Sequence, residues 1–483
     1  MKRISAFLFL FAMHGIAYSQ KQPAADISVC TILNNICSMD LTDPIPGLVL
    51  DSVSNISYGI PGVSKDVLYS ETQCYGSGNR KNVCKDGFPS LNYNVYYPES
   101  INGSTIDYSQ CGFPAIIMFH GGGYDECSDK SNPGIVDVCR ELAKRGFVVF
   151  NVEYRRGVLV DSRRSLEVTS KYRYISAQQI LAIYTACQDV RGAIRTIIYK
   201  QRTNNNGARF KIDDSKLFLG GISAGSMAVM NAAYSERQGQ IDSSWSNASA
   251  VLGDIDAPYY VGDTSINFIP SIKGVLDMWG AIQMSISLKG DPGSFFNGNT
   301  GNAPLIAFQG SADDIFPSDT TSVYFSPDSS RSKKTNYNSV SNCLLKRSAF
   351  TLDNVDHTPD AYAIGAESIY KAFKEKKIPV EIYMDCTMEH GMDTCKTGGR
   401  PCVFDSDFGT GYKDQNAVYS YIAARTATFF FTVLSNNANL LSRSRFVECR
   451  NYRKICDMAD ADACSYPTTQ QASYSCKDFF KVN

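Results

Sequence analysis

A serine between two glycines is the first feature of the chain that could do covalent chemistry. The motif GISAG at residues 221–225 follows an apolar segment at 216–219 (KLFL) and precedes a small-residue segment at 226–234 (SMAVMNAAY), an order that predicts strand, sharp turn and helix. Such a turn exposes Ser223 as a nucleophile, and larger side chains at 221 and 225 would crowd the strand and the helix. An ordinary Gly/Ser turn would also fit these five letters, and only the context favours the nucleophile.

A second glycine-rich motif, HGGGY at residues 120–124, directly follows the apolar segment 115–119 (AIIMF). A run of glycines lets backbone N–H groups face an acyl oxygen without obstruction by side chains, and such groups stabilise the negative charge that develops in acyl transfer. A flexible glycine turn and a phosphate-binding loop are the alternatives, but no GK[ST] or GxGxxG pattern accompanies the motif. Together with the serine turn downstream, the motif predicts an oxyanion-binding loop.

Apolar, β-branched segments alternate with helical ones, and the chain reads as βαβα throughout. This order predicts an α/β fold with a mostly parallel central sheet and helices on both faces. The predicted strands are 115–119, 147–152, 216–219, 274–278, 305–308 and 380–384, and the predicted helices are 134–144, 177–199, 226–234, 367–376 and about 415–434.

With these features the chain resembles the α/β-hydrolase superfamily, in its HGGG branch of secreted carboxylesterases and lipases. Within that branch it is similar to hormone-sensitive-lipase-like and type-B carboxylesterases. The resemblance covers about residues 114–434. NVEYRRG at 151–157 is similar to the strand-end Tyr-Arg motif that follows HGGG in such esterases, and QDVRGAIR at 188–195 is similar to their helix before the serine turn. The resemblance implies an α/β-hydrolase fold with insertions.

The same resemblance implies which backbone groups hold the negative oxygen of a tetrahedral intermediate. They are the N–H groups of Gly122, Gly123 and Ala224. His120 then has a structural role.

In this superfamily the acid of the triad follows the serine in sequence and precedes the histidine. The family's usual frame after the acid strand is HG, two residues, Asp, then Pro four residues later, and Gly310, Asp313 and Pro317 fit it, with Gln309 where the family usually has His. Asp314 is adjacent and fits a solvated acidic turn better. Asp313 is therefore the preferred acid.

The chain has four histidines, which narrows the choice of a general base. His14 lies in the leader and His120 in the glycine loop. His390 follows the predicted strand 380–384 as His-Gly, the family's pattern for the base, whereas His357 precedes the last helix before that strand and is expected at the surface. The resemblance thus implies a serine hydrolase that cleaves carboxylic esters through Ser223, Asp313 and His390, with an acyl-enzyme intermediate.

Two segments are candidates for the rim of such a site. The acid and the base are 77 residues apart, which predicts an insertion at 318–360. Residues 236–302, between the serine turn and the acid strand, form a candidate cap. Its aromatic side chains are expected mostly in the core, with some lining an acyl pocket: Trp245, Tyr259, Tyr260, Phe268, Phe295 and Phe296.

The N-terminus has the pattern of a secretory signal peptide at 1–19. Lys2 and Arg3 precede an apolar run at 4–13, and small residues follow at 17 and 19. A membrane anchor is the alternative, but the run is short of the about 20 residues that a membrane-spanning helix needs. No other segment is long and apolar enough to span a membrane, and we expect a secreted or periplasmic protein.

All 16 cysteines follow this leader, from Cys30 to Cys476, which favours disulfides over buried free thiols. Connectivity stays open, and close pairs such as Cys30 with Cys37, Cys74 with Cys84 and Cys395 with Cys402 could close short loops. Residues 20–113 form an N-terminal extension with the first strands. Residues 435–483 form a Cys-rich appendage, expected as a disulfide-stapled tail on the catalytic domain at 114–434 rather than a separate binding module.

Composition excludes several classes of partner. The 47 basic and 48 acidic residues balance, which argues against nucleic acid and anionic membranes. There is no HExxH and no paired CxxC, so neither a metal nor another cofactor is expected. The expected partner is a small-molecule or polymeric ester, and the oligomeric state and the glycosylation of Asn55, Asn102 and Asn247 stay open.

Other functions share the same residues. A polyester, hydroxyalkanoate or feruloyl-type polymer esterase would differ only in its cleft and tail. A serine peptidase ranks lower because the chain is short for a fused propeller and lacks repeats of blade length. A catalytically silent adhesion or binding protein on a hydrolase scaffold is the alternative from another class, although such proteins usually lose a triad member.

Overall fold

The computed structural model describes most of the predicted catalytic region and part of the N-terminal extension. It covers residues 24–36, 39–59, 91–124, 129–155, 168–203, 209–235, 254–256, 260–285, 302–310, 320–322, 361–385, 415–435 and 445–448, with the single positions Phe296, Asp313, Phe316 and His390. The predicted signal peptide and most of the Cys-rich tail lie outside these ranges.

The described residues form fourteen strands and six α-helices. The strands are β1 Ala24–Ser28, β2 Leu48–Ser57, β3 Asn92–Ile101, β4 Ser104–Asp107, β5 Phe113–Phe119, β6 Val148–Val152, β7 Ile212–Ile222, β8 Ile272–Met278, β9 Ile282–Ser285, β10 Leu305–Gly310, β11 Thr320–Ser322, β12 Ala361–Ile364, β13 Val380–Asp385 and β14 Arg445–Glu448. The helices are α1 Val29–Ile36, α2 Pro133–Ala143, α3 Val168–Arg202, α4 Ala224–Tyr234, α5 Ala366–Glu375 and α6 Gln415–Leu434.

Eleven strands form one central sheet in the order β1-β4-β3-β6-β5-β7-β8-β10-β13-β14, with β2 paired to β3. Every neighbouring pair from β6 to β14 is parallel, and the antiparallel pairs gather at β2, β3, β4 and β6. All seven residues of β5 are buried, as expected for a strand covered on both faces. The predicted α/β class with a mostly parallel sheet is confirmed.

The helices cover both faces of the sheet. On one face α2 packs against α6, and Phe430 of α6 stacks on Phe218 of β7 with ring centroids 4.0 Å apart. Helices α3 and α4 pack together, and the Cys187 thiol of α3 lies 3.4 Å from the Ala228 carbonyl of α4. Because successive strand residues point to opposite faces, Leu219 of β7 faces this second layer.

Strand register places the two motifs at one edge of the sheet. Gly221 of β7 is opposite Phe119 of β5 on one side and Asp277 of β8 on the other. Gly310 of β10 is likewise opposite Asp385 of β13. The segments that follow these parallel strands therefore emerge at the same carboxyl edge.

The predicted elements of residues 113–434 all form, with longer bounds in places. Helix α3 begins at Val168 rather than at 177, and β7 begins at Ile212 rather than at 216. The reading as βαβα throughout is wrong, because β9, β11 and β12 form a separate antiparallel sheet. In this sheet Ser322 of β11 pairs with Tyr362 of β12, and most of the predicted insertion at 318–360 lies outside the described residues.

The described disulfide joins Cys30 to Cys111. The suggested short loop from Cys30 to Cys37 is therefore wrong. The physical reason is the parallel pairing of β1 with β4, which sets Ser28 opposite Asp107 and brings the residues that follow the two strands together. Cys139 and Cys187 are buried free thiols, contrary to the general expectation of disulfides. The pairs Cys74 with Cys84 and Cys395 with Cys402 lie outside the described residues.

Part of the predicted tail belongs to the sheet. Within 435–483 the structure describes Ser435 and β14, and β14 extends the sheet as the parallel neighbour of β13. Cys449, Cys456, Cys464 and Cys476 lie outside the described residues. None of the described helices combines the length and apolar character that a membrane crossing requires.

Candidate active site

The backbone of Ser223 is strained and held on two sides. Its φ of 53° and ψ of −118° lie in a region that non-glycine residues rarely adopt. The Ser223 N–H donates to the Met278 carbonyl of β8 at 2.8 Å, and its own carbonyl accepts from the Met227 N–H of α4 at 3.0 Å. The serine thus forms the junction between β7 and α4, the strand–turn–helix arrangement that the sequence predicts.

Glycine is required on both sides of this serine. A Cβ atom at Gly221 would overlap the backbone of Gly225 and Ser226. A Cβ atom at Gly225 would overlap the carbonyl groups of Phe119 and His120. The predicted steric reason for the GxSxG spacing is therefore confirmed, and the same close contact brings the HGGGY loop against the start of α4.

Three of the predicted side chains lie in one hydrogen-bonded row. Ser223 Oγ is 2.7 Å from His390 Nε2, and His390 Nδ1 is 3.0 Å from each carboxylate oxygen of Asp313. A neutral imidazole with its proton on Nδ1 donates to Asp313 and accepts the serine proton at Nε2. The Asp313 side chain is fully buried, whereas that of His390 is 16% exposed. Asp314 and His357 lie outside the described residues.

Two neighbours hold the acid and the imidazole. The Phe316 N–H donates to Asp313 Oδ1 at 2.8 Å, and the Phe316 ring lies 5.5 Å from the His390 ring between centroids. Gln309, which the sequence comparison placed where the resembled esterases usually have His, donates its amide N–H to the Phe316 carbonyl and accepts from the Ala366 N–H at 3.2 Å. Gln309 therefore ties the acid loop to the first residue of α5.

The HGGGY loop passes beside the nucleophile. A Cβ atom at Gly121 would lie 3.1 Å from the Ile222 carbonyl oxygen and 3.2 Å from Ser223 Cβ. The next three residues all have positive φ, 121° at Gly122, 63° at Gly123 and 65° at Tyr124. On the other side of the serine, Ala224 begins α4, and the first N–H groups of a helix have no partner within it.

His120 and Glu153 form a buried contact behind the loop. His120 Nδ1 lies 2.7 Å from the Gly121 carbonyl oxygen, and Nε2 lies 2.9 Å from Glu153 Oε1. The His120 ring stacks on Tyr154 at 4.5 Å. These contacts fit the structural role that the resemblance implies for His120. The sequence analysis assigned no role to Glu153, although its position directly after a strand, in NVEYRRG, could have indicated a residue near the site.

Asp277 is a second residue that the sequence did not single out. Its Oδ1 accepts from Ser226 Oγ at 2.6 Å and from the Gly280 N–H at 2.8 Å. Burial raises the pKa of this carboxyl from 3.8 to about 6, and the nearby charge of Asp313 acts in the same direction. Inside the apolar segment VLDM, Asp277 gave no pattern that would separate it from other strand residues.

The other two family-like motifs meet in a buried polar network. Arg155 of NVEYRRG lies 2.8 Å from the carboxylate of Asp189 in QDVRGAIR. The Tyr260 hydroxyl donates to the same carboxylate at 2.6 Å. Tyr260, Phe268 and Phe296 of the candidate cap are all buried, as most of its aromatic residues were expected to be. Trp245, Tyr259 and Phe295 lie outside the described residues.

No group of three or more metal-ligating side chains occurs among the residues that the structure covers.

The strand order, the serine turn and the glycine loop at the carboxyl edge of the sheet together define an α/β-hydrolase fold, as the sequence predicts.

No family profile and no curated protein sequence matches the chain. Among solved structures it is similar to a truncated carbohydrate esterase from gut microbiota, at 13% identity over 81% of this chain and 98% of that one, with a TM-score of 0.38. It is also similar to a putative dienelactone hydrolase from Klebsiella pneumoniae subsp. pneumoniae, at 11% identity over 79% and 99% of the two chains, with a TM-score of 0.35. A third is propionate-bound esterase 2 of Thermogutta terrifontis, at 16% identity over 74% and 92%, with a TM-score of 0.37.

Proposed function

We propose that the protein is a serine hydrolase that cleaves carboxylic esters, with Ser223 as nucleophile, His390 as general base and acid, and Asp313 as the carboxylate that orients the imidazole. The observation that carries the proposal is the row from Ser223 Oγ to His390 Nε2 at 2.7 Å and from His390 Nδ1 to Asp313 at 3.0 Å. Nucleophile, base and orienting group within hydrogen-bond reach are the arrangement that nucleophilic acyl transfer requires.

Acylation begins when Ser223 Oγ attacks the ester carbonyl carbon and its proton passes to His390 Nε2. The carbonyl oxygen becomes an oxyanion, which the backbone N–H groups of Gly122, Gly123 and Ala224 stabilise. The intermediate then breaks the bond to the alcohol oxygen, which takes the proton from the imidazolium. Asp313 stabilises the imidazolium between these two transfers.

Deacylation repeats the sequence with water. His390 removes a proton from a water molecule, whose oxygen attacks the acyl carbon bound to Ser223 Oγ. The second tetrahedral intermediate releases the carboxylic acid and returns the proton to Ser223. The cycle consumes one ester and one water and yields one acid and one alcohol, without a cofactor.

The proposal includes an extracytoplasmic location and membership of the HGGG branch. The disulfide between Cys30 and Cys111 is compatible with a secreted or periplasmic protein, because such bonds persist in oxidising compartments. The glycine loop beside Ser223 supports the branch. A catalytically silent binding protein is less consistent with the site, because a scaffold that has lost its chemistry has no need to keep these three side chains in contact.

Hydrolysis of p-nitrophenyl esters from acetate to palmitate by the purified protein tests the proposal. Ser223→Ala should abolish turnover of every ester, whereas Ser215→Ala, an exposed serine on the same strand, should leave it unchanged. Equal rates for wild type and Ser223→Ala would refute the proposal. The chain length with the highest kcat/KM then distinguishes a short-chain esterase from a lipase.

A further inference from the structure

Tyr124, the last residue of HGGGY, occupies a backbone conformation that its side chain disfavours. Its φ is 65°, and the residue is fully buried. Bulky residues at positive φ are strained, and such strain persists where surrounding contacts fix the residue. Glycine would adopt this conformation without strain, so a tyrosine at this position requires side-chain contacts that offset the strain.

The Tyr124 hydroxyl spans from the glycine loop to the serine turn. It donates to the Ala224 carbonyl at 2.6 Å, a contact between residues 100 apart in the sequence. Ala224 directly follows Ser223, and its N–H group is one of the proposed oxyanion donors. The other two, at Gly122 and Gly123, directly precede Tyr124. One hydrogen bond therefore connects the two chain segments that must converge on the same oxygen.

The beginning of the loop is fixed by a second tyrosine. The Tyr154 hydroxyl donates to the His120 carbonyl at 2.8 Å, and its ring stacks on His120. The rings of Tyr154 and Tyr124 meet edge to face at 6.3 Å between centroids. The loop is thus held at both ends by tyrosine hydroxyls, with the glycines between them.

We propose that Tyr124 is a positioning residue that sets the distance between the loop donors and the Ala224 donor, with Tyr154 fixing the other end of the loop. This inference rests on the proposed function. Oxyanion donors act because they are already in place when charge develops, and removal of one such donor lowers kcat by about 100- to 1000-fold. Displacement of donors that remain present has a smaller effect. We expect about a 10-fold loss of kcat when the hydrogen bond from Tyr124 to the Ala224 carbonyl is removed.

The kinetic signature distinguishes positioning from general structural support. The donors interact with the oxyanion more strongly than with the ester carbonyl, so their displacement weakens binding of the transition state and leaves binding of the substrate nearly unchanged. We therefore expect kcat to fall while KM stays the same. A hexyl trifluoromethyl ketone, which adds to an active serine as a tetrahedral oxyanion, should lose affinity by a similar factor.

The experiment compares Tyr124→Phe with Tyr234→Phe in the full chain. Tyr234 is a matched control, because it is also buried and its hydroxyl donates to a backbone carbonyl, that of Ala303 at 3.0 Å. It ends α4, eleven residues beyond Ser223, and its partner Ala303 precedes β10, at the end of that strand opposite to Gly310 and the acid loop. We expect Tyr124→Phe to lose about 10-fold in kcat and in affinity for the ketone with KM within about twofold, and Tyr234→Phe to match wild type.

Two results would overturn the proposed positioning role of Tyr124. One is a Tyr124→Phe enzyme with wild-type kcat while Ser223→Ala is inactive, which leaves the proposed function standing. The other is a rise in KM with unchanged kcat, which would make Tyr124 a substrate-binding residue. Turnover by Ser223→Ala would instead refute the proposed function itself. If Tyr124→Phe does not fold, Tyr154→Phe releases the other end of the loop and must show the same fall in kcat at constant KM, and wild-type kcat there overturns the proposal.

Discussion

Ser226 and Asp277 share a buried hydrogen bond of 2.6 Å that joins helix α4 to the end of strand β8. Ser226 lies three residues after Ser223, and both partners are fully buried. The same carboxylate oxygen accepts from the Gly280 N–H at 2.8 Å, while the second oxygen has no hydrogen-bond partner among the described residues. A carboxyl group thus fastens the first turn of α4, although part of its hydrogen-bonding capacity is unused.

This arrangement makes the stability of the protein depend on pH. Burial raises the pKa of Asp277 from 3.8 to about 6, so between about pH 4 and pH 6 the folded protein binds more protons at this site than the unfolded chain. The contribution of Asp277 to the free energy of unfolding therefore falls as pH rises through this window. Asp277→Asn removes the titration, and its stability relative to wild type should improve by on the order of 3 kcal/mol between about pH 4 and pH 8.

Urea unfolding of both proteins across this range measures the difference. Asp263→Asn is a control of opposite sign, because hydrogen bonds from Ser265 hold the pKa of the exposed Asp263 below its usual value. That variant should lose stability relative to wild type only as pH rises towards about 5, because Asp263 is ionised in both the folded and the unfolded protein above that pH, and from there to pH 8 the difference should stay constant. A stability difference between wild type and Asp277→Asn that is the same at every pH would show that Asp277 does not titrate in this window.

Asp313→Asn should lower kcat by about 1000- to 10,000-fold with little change in KM. The carboxylate only accepts a hydrogen bond from Nδ1–H, whereas the amide can turn its own N–H group towards Nδ1, so the imidazole loses the tautomer in which Nε2 accepts from Ser223. Steady-state kinetics on p-nitrophenyl acetate provides the measurement, with Asp263→Asn as the control at the surface. A variant with more than a tenth of the wild-type kcat would assign the acid to another residue, with Asp314 as the next to test.

Gln309→Leu should destabilise the protein by about 1–3 kcal/mol, because it leaves the Phe316 carbonyl and the Ala366 N–H buried without their partner. The acid loop should also become less ordered, and kcat should fall more than KM rises. Thermal unfolding and steady-state kinetics of the same preparation measure both effects. Wild-type stability and rate together would show that Gln309 does not hold the loop.

The disulfide between Cys30 and Cys111 should contribute stability without affecting chemistry. Cys111 precedes β5, at the end of the strand opposite to the HGGGY loop, and seven residues of strand separate the two at about 3.3 Å each. Replacement of both cysteines by serine should lower the free energy of unfolding by about 2–5 kcal/mol and leave kcat unchanged. A large fall in kcat in the folded double variant would contradict this separation.

Local pattern predicted the parts of the fold and of the site that depend on a few adjacent residues. Residues 221–225 and 120–124 carry their own steric requirements, and the strands at 305–308 and 380–384 were visible as apolar runs. By contrast, the contact of Tyr124 with Ala224 and the pairing of Cys30 with Cys111 depend on which strands become neighbours. No local pattern contains that information.

The roles of buried polar residues were the other part of the site that the sequence did not predict. Asp277 stands in an apolar strand, and its role arises from Ser226 on a different element. Glu153 likewise acquires its role from His120, 33 residues earlier in the sequence. Boundaries also shifted, as at α3 and β7, because tertiary packing extends elements beyond the segment whose own composition favours them.

The most direct test of the account is the residue that a fluorophosphonate labels. Such a probe reacts with an activated serine, and digestion with trypsin places Ser223 and Ser226 in the same peptide, between Lys216 and Arg237. The active protein is labelled and digested, and tandem mass spectrometry should locate the adduct on Ser223, with Ser226 unmodified as an internal control. Ser223→Ala should carry no adduct. An adduct on any other residue, or full esterase activity without labelling of Ser223, would contradict the account.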